Sequence, residues 1–297
     1  MGQTLFQLLH KKFLLYPDVE AELSKNYQSI IKHLGYWVAG DEKLFQFRGN
    51  SGWQRIKHDS LGLWTYELCG RLPGGLGFLL HAYSHSVSAA MSGSIPTAEV
   101  MKKWALVVSD LKIIAHHTIL VSDSYYLDQT GRYWLKELDV PYLCALQACW
   151  FSGLAELAQP HCKKPGKTAI LHNEASEETF VMHWYPDGRL GKKYILSNCI
   201  KCKSGNTQKA WVPGCDDYSL MFNVCDHFNH TLHEKTFPHR PSSDLSAQHD
   251  FHFTCLLVNI YHAFLTLNNI ALNHTTFSAQ MFILADELYL YAVSLRE

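Results

Sequence analysis

The sequence predicts an α/β fold, a mixed sheet flanked by helices. Three observations lead there. Two apolar runs, 61–69 and 76–83, are separated by a segment containing Pro73-Gly74-Gly75, a strong hairpin signal. Strand-like and helix-like segments then alternate as far as residue 146. The chain has 297 residues, 47% apolar and 13% aromatic, which suits a globular protein with a large core in one elaborate domain or two.

Taken in order, residues 4–34 read as helical, and Pro17-Asp18-Val19-Glu20-Ala21-Glu22 places acidic side chains at the positive end of a helix dipole. The pattern changes over 41–49, and 50–60 is polar and loop-like. Beyond the hairpin, 84–95 is rich in Ser and Gly and reads as a loop. Thr97, after Pro96, opens a helix that runs to about Leu111. His117 to Val121 is a short buried strand that leads into Asp123. Gln129 to Leu138 is a helix and Tyr142 to Leu146 a strand. A Pro/Lys/Gly loop at 159–168 precedes strands near 169–172, 179–184 and 193–198, with a turn at Pro186-Asp187-Gly188. From Tyr218 onward the chain is mostly helical, divided by a Pro-, Ser- and His-rich break at 237–249. The organisation expected is a helical N-terminal segment over 1–40, a core over 41–235 with a β-rich insertion around 150–215, and C-terminal helices over 236–297.

Net charge is −1, poor support for strong sequence-independent DNA binding, which needs many Lys and Arg contacts to phosphate. A basic stretch from Arg189 to Lys209 reads either as a basic face or as a solvated strand edge. The start of the chain carries no signal-peptide pattern, so the nine cysteines are expected to be reduced thiols in an intracellular protein. Phe251 to Leu272 is the most apolar long stretch, but it contains His252, Asn259, His262, Asn268 and Asn269 and reads as a packed core helix, so no membrane is expected.

The residues that suggest chemistry are acidic landmarks in order: Asp41-Glu42 followed by Phe47-Arg48-Gly49, then Asp123, then Trp184-Tyr185-Pro186-Asp187, then Asp226. Two-metal phosphoryl-transfer sites place carboxylates at strand ends and on a nearby helix. Asp123 stands just past a buried strand and Asp226 on a helix-forming stretch. Each alone is weak evidence, since a lone Asp after a strand is more often a cap or turn residue.

The order and spacing of these landmarks resemble the piggyBac-type transposase family. The resemblance covers roughly residues 1–270 and includes Tyr194-Ile195-Leu196-Ser197, the helix opening Tyr218-Ser219 and running through Val224-Cys225-Asp226, and the helix from Phe251 with Asn259 and Ala263. It implies a ribonuclease H-like core, DNA strand cleavage and joining with Mg²⁺ or Mn²⁺, DNA as a partner and a nuclear location; whether the chain forms a homodimer is left open. By position, Asp123 and Asp226 match the second and third metal-binding Asp residues. Gly70 and Asn229 stand where the first and fourth are expected, and Val224-Cys225 departs from the Gly-Val before the third. The resemblance thus implies a degenerate transposase, a DNA- or protein-binding remnant with little strand transfer. An active nuclease using Asp123, Asp226 and another carboxylate stays open. Glu67 lies three residues before Gly70, and odd spacing in a strand turns it to the other face; Asp41 and Asp59 are further acidic groups.

A third reading is a zinc-stabilised interaction domain. Cys199-Ile200-Lys201-Cys202 forms a CxxC, followed by Cys215, Cys225, His227, His230 and His233. Without a second CxxC the alternative is core thiols and exposed histidines, and His116-His117 reads as structural. The C-terminal helix with Phe282, Leu284, Leu288, Tyr289 and Tyr291 reads as a packing face or a partner face.

Overall fold

The structure, a computed structural model, describes residues 37–46, 55–56, 60–72, 74–84, 97–115, 118–187, 191–199, 215–234 and 244–267. The helices expected over 4–34 and beyond 267, the loop at 85–95, His116-His117, Asp59 and Cys202 lie outside them.

The described strands form one nine-stranded mixed sheet. The strands are β1 (Trp37–Gln46), β2 (Arg55–Ile56), β3 (Ser60–Arg71), β4 (Gly77–Ser84), β5 (Ile119–Ser122), β6 (Tyr142–Ala145), β7 (Thr168–Asn173), β8 (Glu178–Trp184) and β9 (Lys192–Ser197). Their order is β4-β3-β1-β5-β6-β9-β8-β7, with β2 paired to the start of β3. Strand β1 runs antiparallel to β3 and parallel to β5, and β5 runs parallel to β6; β9, β8 and β7 continue antiparallel. The hairpin β3–β4 turns through Gly74 and Gly75, both at positive φ (86° and 88°), where a side chain would be strained.

Five described helices accompany the sheet: α1 (Thr97–Ala115), α2 (Gln129–Glu137), α3 (Ser152–Ala158), α4 (Cys215–Glu234) and α5 (Asp244–Leu267). The break expected at 237–249 is therefore shorter than its composition suggests, because α5 begins at Asp244. Two close approaches position the layers. A Cβ at Gly40 of β1 would meet the Trp104 ring of α1 at 2.7 Å, and one at Gly77 of β4 would meet the Val224 carbonyl of α4 at 2.5 Å. So α1 covers one face of the sheet and α4 the other. Helix α5 is fastened to β4 by Asn259, whose side chain accepts from Leu79 N–H (2.8 Å) and donates to Leu79 C=O (2.9 Å). The core between these layers includes Val38, Leu68, Leu79, Val121, Leu143, Phe228 and Tyr261, all nearly or fully buried. No described helix is long and apolar enough to cross a membrane.

Strand β1, third in the sheet order, begins at Trp37, ahead of residue 41. Its apolar run, Trp37-Val38-Ala39, is too short to announce a strand, and charged residues follow at once.

Candidate functional site

Adjacent residues of β1 serve opposite faces of the sheet. Gly40 and Glu42 turn toward α1: Gly40 lies under Trp104, and the Glu42 carboxylate accepts a hydrogen bond from the Tyr126 hydroxyl. Ala39 and Asp41 turn toward α4, where the Cys225 thiol donates to the Ala39 carbonyl at 3.1 Å.

The parallel register pairs Ala39 with Val121 and Gly40 with Ser122. The next residues on the two chains are Asp41 and Asp123, so these two acids stand level on neighbouring strands. Asp123 lies at the carboxyl end of β5, where its own side chain accepts from Ser124 N–H at 2.5 Å and fixes the turn. Asp226, exposed on α4, acts on Asp41 from above. Burial, the Glu42 charge and the Asp226 charge together push Asp41 up to about 8, and no described cation offsets them. Tyr218, about two turns before Asp226 on α4, is pushed well above its ordinary value by burial and then by the charges of Asp123 and Asp41. Lys193 of β9 rests its ammonium 3.8 Å from the centre of that ring. Burial lowers Lys193, and the Asp123 charge opposes the shift.

A further acid belongs to this face. Glu67 of β3 is paired directly across from Asp41 and is fully buried. Burial pushes it up to about 7, against the Lys43 charge and hydrogen bonding from Asn229 and Thr65. Its Oε2 atom and the Asn229 Oδ1 atom are both buried without a hydrogen-bond partner.

Gly70 lies elsewhere. It pairs with Val38, three residues before Asp41, which is about 10 Å along the strand. By the pleat it also faces α1 rather than α4. Odd spacing does turn Glu67 away from Gly70, and the face it turns to is the one that carries Asp41 and Asp226. Asn229, one turn beyond Asp226 on α4, does stand beside this acidic group.

Asp41, Asp123 and Asp226 are the acids at this end of the sheet, and carboxylate oxygen donors suit a hard divalent cation, but in this structure the three do not stand close enough together to share one. A half-buried acid facing two like charges is the electrostatic setting a cation relieves. Among the described residues, no three His, Cys, Asp or Glu side chains are close enough together to share an ion. Of the cysteine cluster, Cys199 is half-buried with its thiol 3.2 Å from Asn198 Oδ1, while Cys225 is sealed against Ala39 and Cys69. His227 meets the Gly75 carbonyl at 3.2 Å.

Neither a protein-family model nor a curated protein sequence matches the chain. The fold is similar to that of a solved chain described as a cryo-EM structure of piggyBac transposase synaptic complex with hairpin DNA, with a TM-score of 0.62 and 13% sequence identity. The match covers 84% of this chain and 52% of that one, so the chain spans about half the length of the transposase it resembles.

Proposed function

We propose that this chain is a piggyBac transposase-related protein whose DNA strand-cleavage acids are Asp41, Asp123 and Asp226, which would have to draw closer together to hold a divalent metal. The observation that carries the reading is the parallel pairing of β1 with β5, Gly40 opposite Ser122, which sets Asp41 level with Asp123 on the face covered by α4. Asp41 then takes the role that the sequence order assigns to Gly70. A mixed sheet with acids at its parallel strands supports the ribonuclease H-like reading, and the structural likeness to a transposase supports the family. DNA as partner, a homodimeric assembly and a nuclear location come with the same proposal.

Mg²⁺ or Mn²⁺, when bound, would polarise the scissile phosphate and lower the cost of forming the attacking oxygen. The protein's own part is to hold Asp41, which burial and neighbouring like charge make costly to ionise without such a cation. Asp226 brings charge from the helix, Asp41 from β1 and Asp123 from the adjoining turn. The Asn229 amide, set against Glu67, holds that carboxyl away from solvent. Lys193 rests on the Tyr218 ring and feels the Asp123 charge.

A second reading is a degenerate binding module, and the spread of the described acids beyond common reach of one ion favours it. Nicking of supercoiled plasmid by the purified chain with Mn²⁺ separates the two. The first reading expects relaxed product that disappears in Asp123→Ala and in Asp226→Ala. DNA binding without any nicking by the parent would leave only the second.

A further inference from the structure

We infer that Tyr125 and Trp150 form a stacking platform for an unpaired DNA base beside the candidate cleavage site; this rests on the strand-cleavage reading above. Tyr125 lies two residues past Asp123, so its backbone is within about 7 Å of that acid's. Its neighbours Tyr126 and Leu127 point into the core, 1% and 0% exposed, whereas Tyr125 is 52% exposed. The loop that presents it is held at both ends. Tyr126 N–H donates to the Asp123 carbonyl at 3.2 Å, and Asp128 caps α2 by accepting from Gly131 N–H at 2.6 Å.

Trp150 comes from the 3-10 turn Ala148–Phe151 that follows β6. Its carbonyl accepts from the Gln129 side chain at 3.4 Å. The two rings thus leave the carboxyl ends of adjacent parallel strands, the end of an α/β sheet where ligands bind. Their centroids are 6.5 Å apart with the planes tilted by 45°, and Tyr125 meets Tyr126 edge-on at 5.7 Å. None of these contacts stacks face-to-face on Tyr125. An exposed aromatic ring on a loop fastened at both ends, two residues from Asp123, suits stacking by a base drawn out of the duplex.

The test is fluorescence of 2-aminopurine at a single unpaired position in a hairpin DNA, titrated with the full chain in EDTA so that no cleavage intervenes. A fully paired hairpin of the same length is the comparison. The parent is expected to quench the probe and to bind the unpaired form more tightly. Tyr125→Ala should reduce that preference roughly tenfold, and Tyr125→Phe should keep it. Trp150→Phe, as a second variant, should also keep it, while Trp150→Ala should reduce it. A preference unchanged in both alanine variants, or no preference in the parent, overturns the platform. Plasmid nicking by the parent is scored separately. Nicking with an unchanged preference sinks the platform alone, and a Tyr125-dependent preference without nicking sinks the cleavage reading alone.

Discussion

Two buried carboxyl groups in this protein lie in opposite surroundings. Glu178, at the start of β8, is 3% exposed and meets Arg132 through two hydrogen bonds, one of them at 2.7 Å, Lys136 at 2.9 Å and the Tyr142 hydroxyl. Burial alone would raise it; the bonds from Arg132, Tyr142 and Lys136 outweigh burial and hold it at about 2. Glu67 is as deeply buried and has a free oxygen, and Asp41 beside it faces only like charges. Both are pushed up, to about 7 and about 8. A carboxylate that serves the fold is given its cations by the fold. No described cation offsets Asp41, and the Lys43 charge does not outweigh burial at Glu67, as expected where the partner arrives from outside.

The comparison can be broken most sharply by activity. Asp123→Ala or Asp226→Ala should lower Mn²⁺-dependent nicking at least about 10³-fold, since each bound ion supplies several kcal/mol at the transition state. Glu178→Ala should leave DNA nicking in place but cost about 3 kcal/mol of stability, because Arg132 and Lys136 lose a buried partner. Denaturant unfolding of the two proteins checks that figure.

The pH dependence of metal-free stability should run in opposite directions for the two groups. Glu67 and Asp41 hold protons in the folded state that the unfolded chain has already released. Their contribution therefore falls as pH rises from the unfolded carboxyl range to about 7 for Glu67 and about 8 for Asp41. Glu178 behaves in reverse: its stabilisation is complete above about pH 4.5 and is lost as pH falls toward 2. Glu67→Gln should flatten the fall between pH 5 and 7 by about 2 kcal/mol, a value read from unfolding at several pH values. The smallest effect is that of the cation. Mn²⁺ at ten times its dissociation constant should stabilise the parent by about 1.4 kcal/mol and Asp41→Asn by much less, seen as a shift in melting temperature.

Much of this architecture is legible along the chain. Pro73-Gly74-Gly75 marks the hairpin, and the short apolar runs before Asp123 and after the α2 helix mark β5 and β6. The landmark order also points to the transposase likeness that the fold bears. Strand β1 is hidden because its acids break its pattern: Asp41 serves one face and Glu42 the other, so no apolar alternation survives. The identity of the first acid is hidden for a related reason. Order along the chain singles out Gly70, but which residue stands beside Asp123 depends on the register of β1 against β5, a pairing across some eighty residues. The Glu178 network and the Tyr125–Trp150 pair are likewise contacts between distant segments. Helix α3 carries no motif that sets it apart from a loop.

The most direct test exchanges the two candidate positions for the first acid. Plasmid nicking with Mn²⁺ is measured for the parent, Asp41→Ala and Gly70→Asp. If Asp41 is the first acid, the parent nicks, Asp41→Ala does not, and Gly70→Asp gains nothing, because residue 70 faces α1 rather than α4. A parent that is inert, with cleavage appearing only in Gly70→Asp, would contradict the assignment of Asp41 and return the chain to a transposase remnant that has lost its first acid.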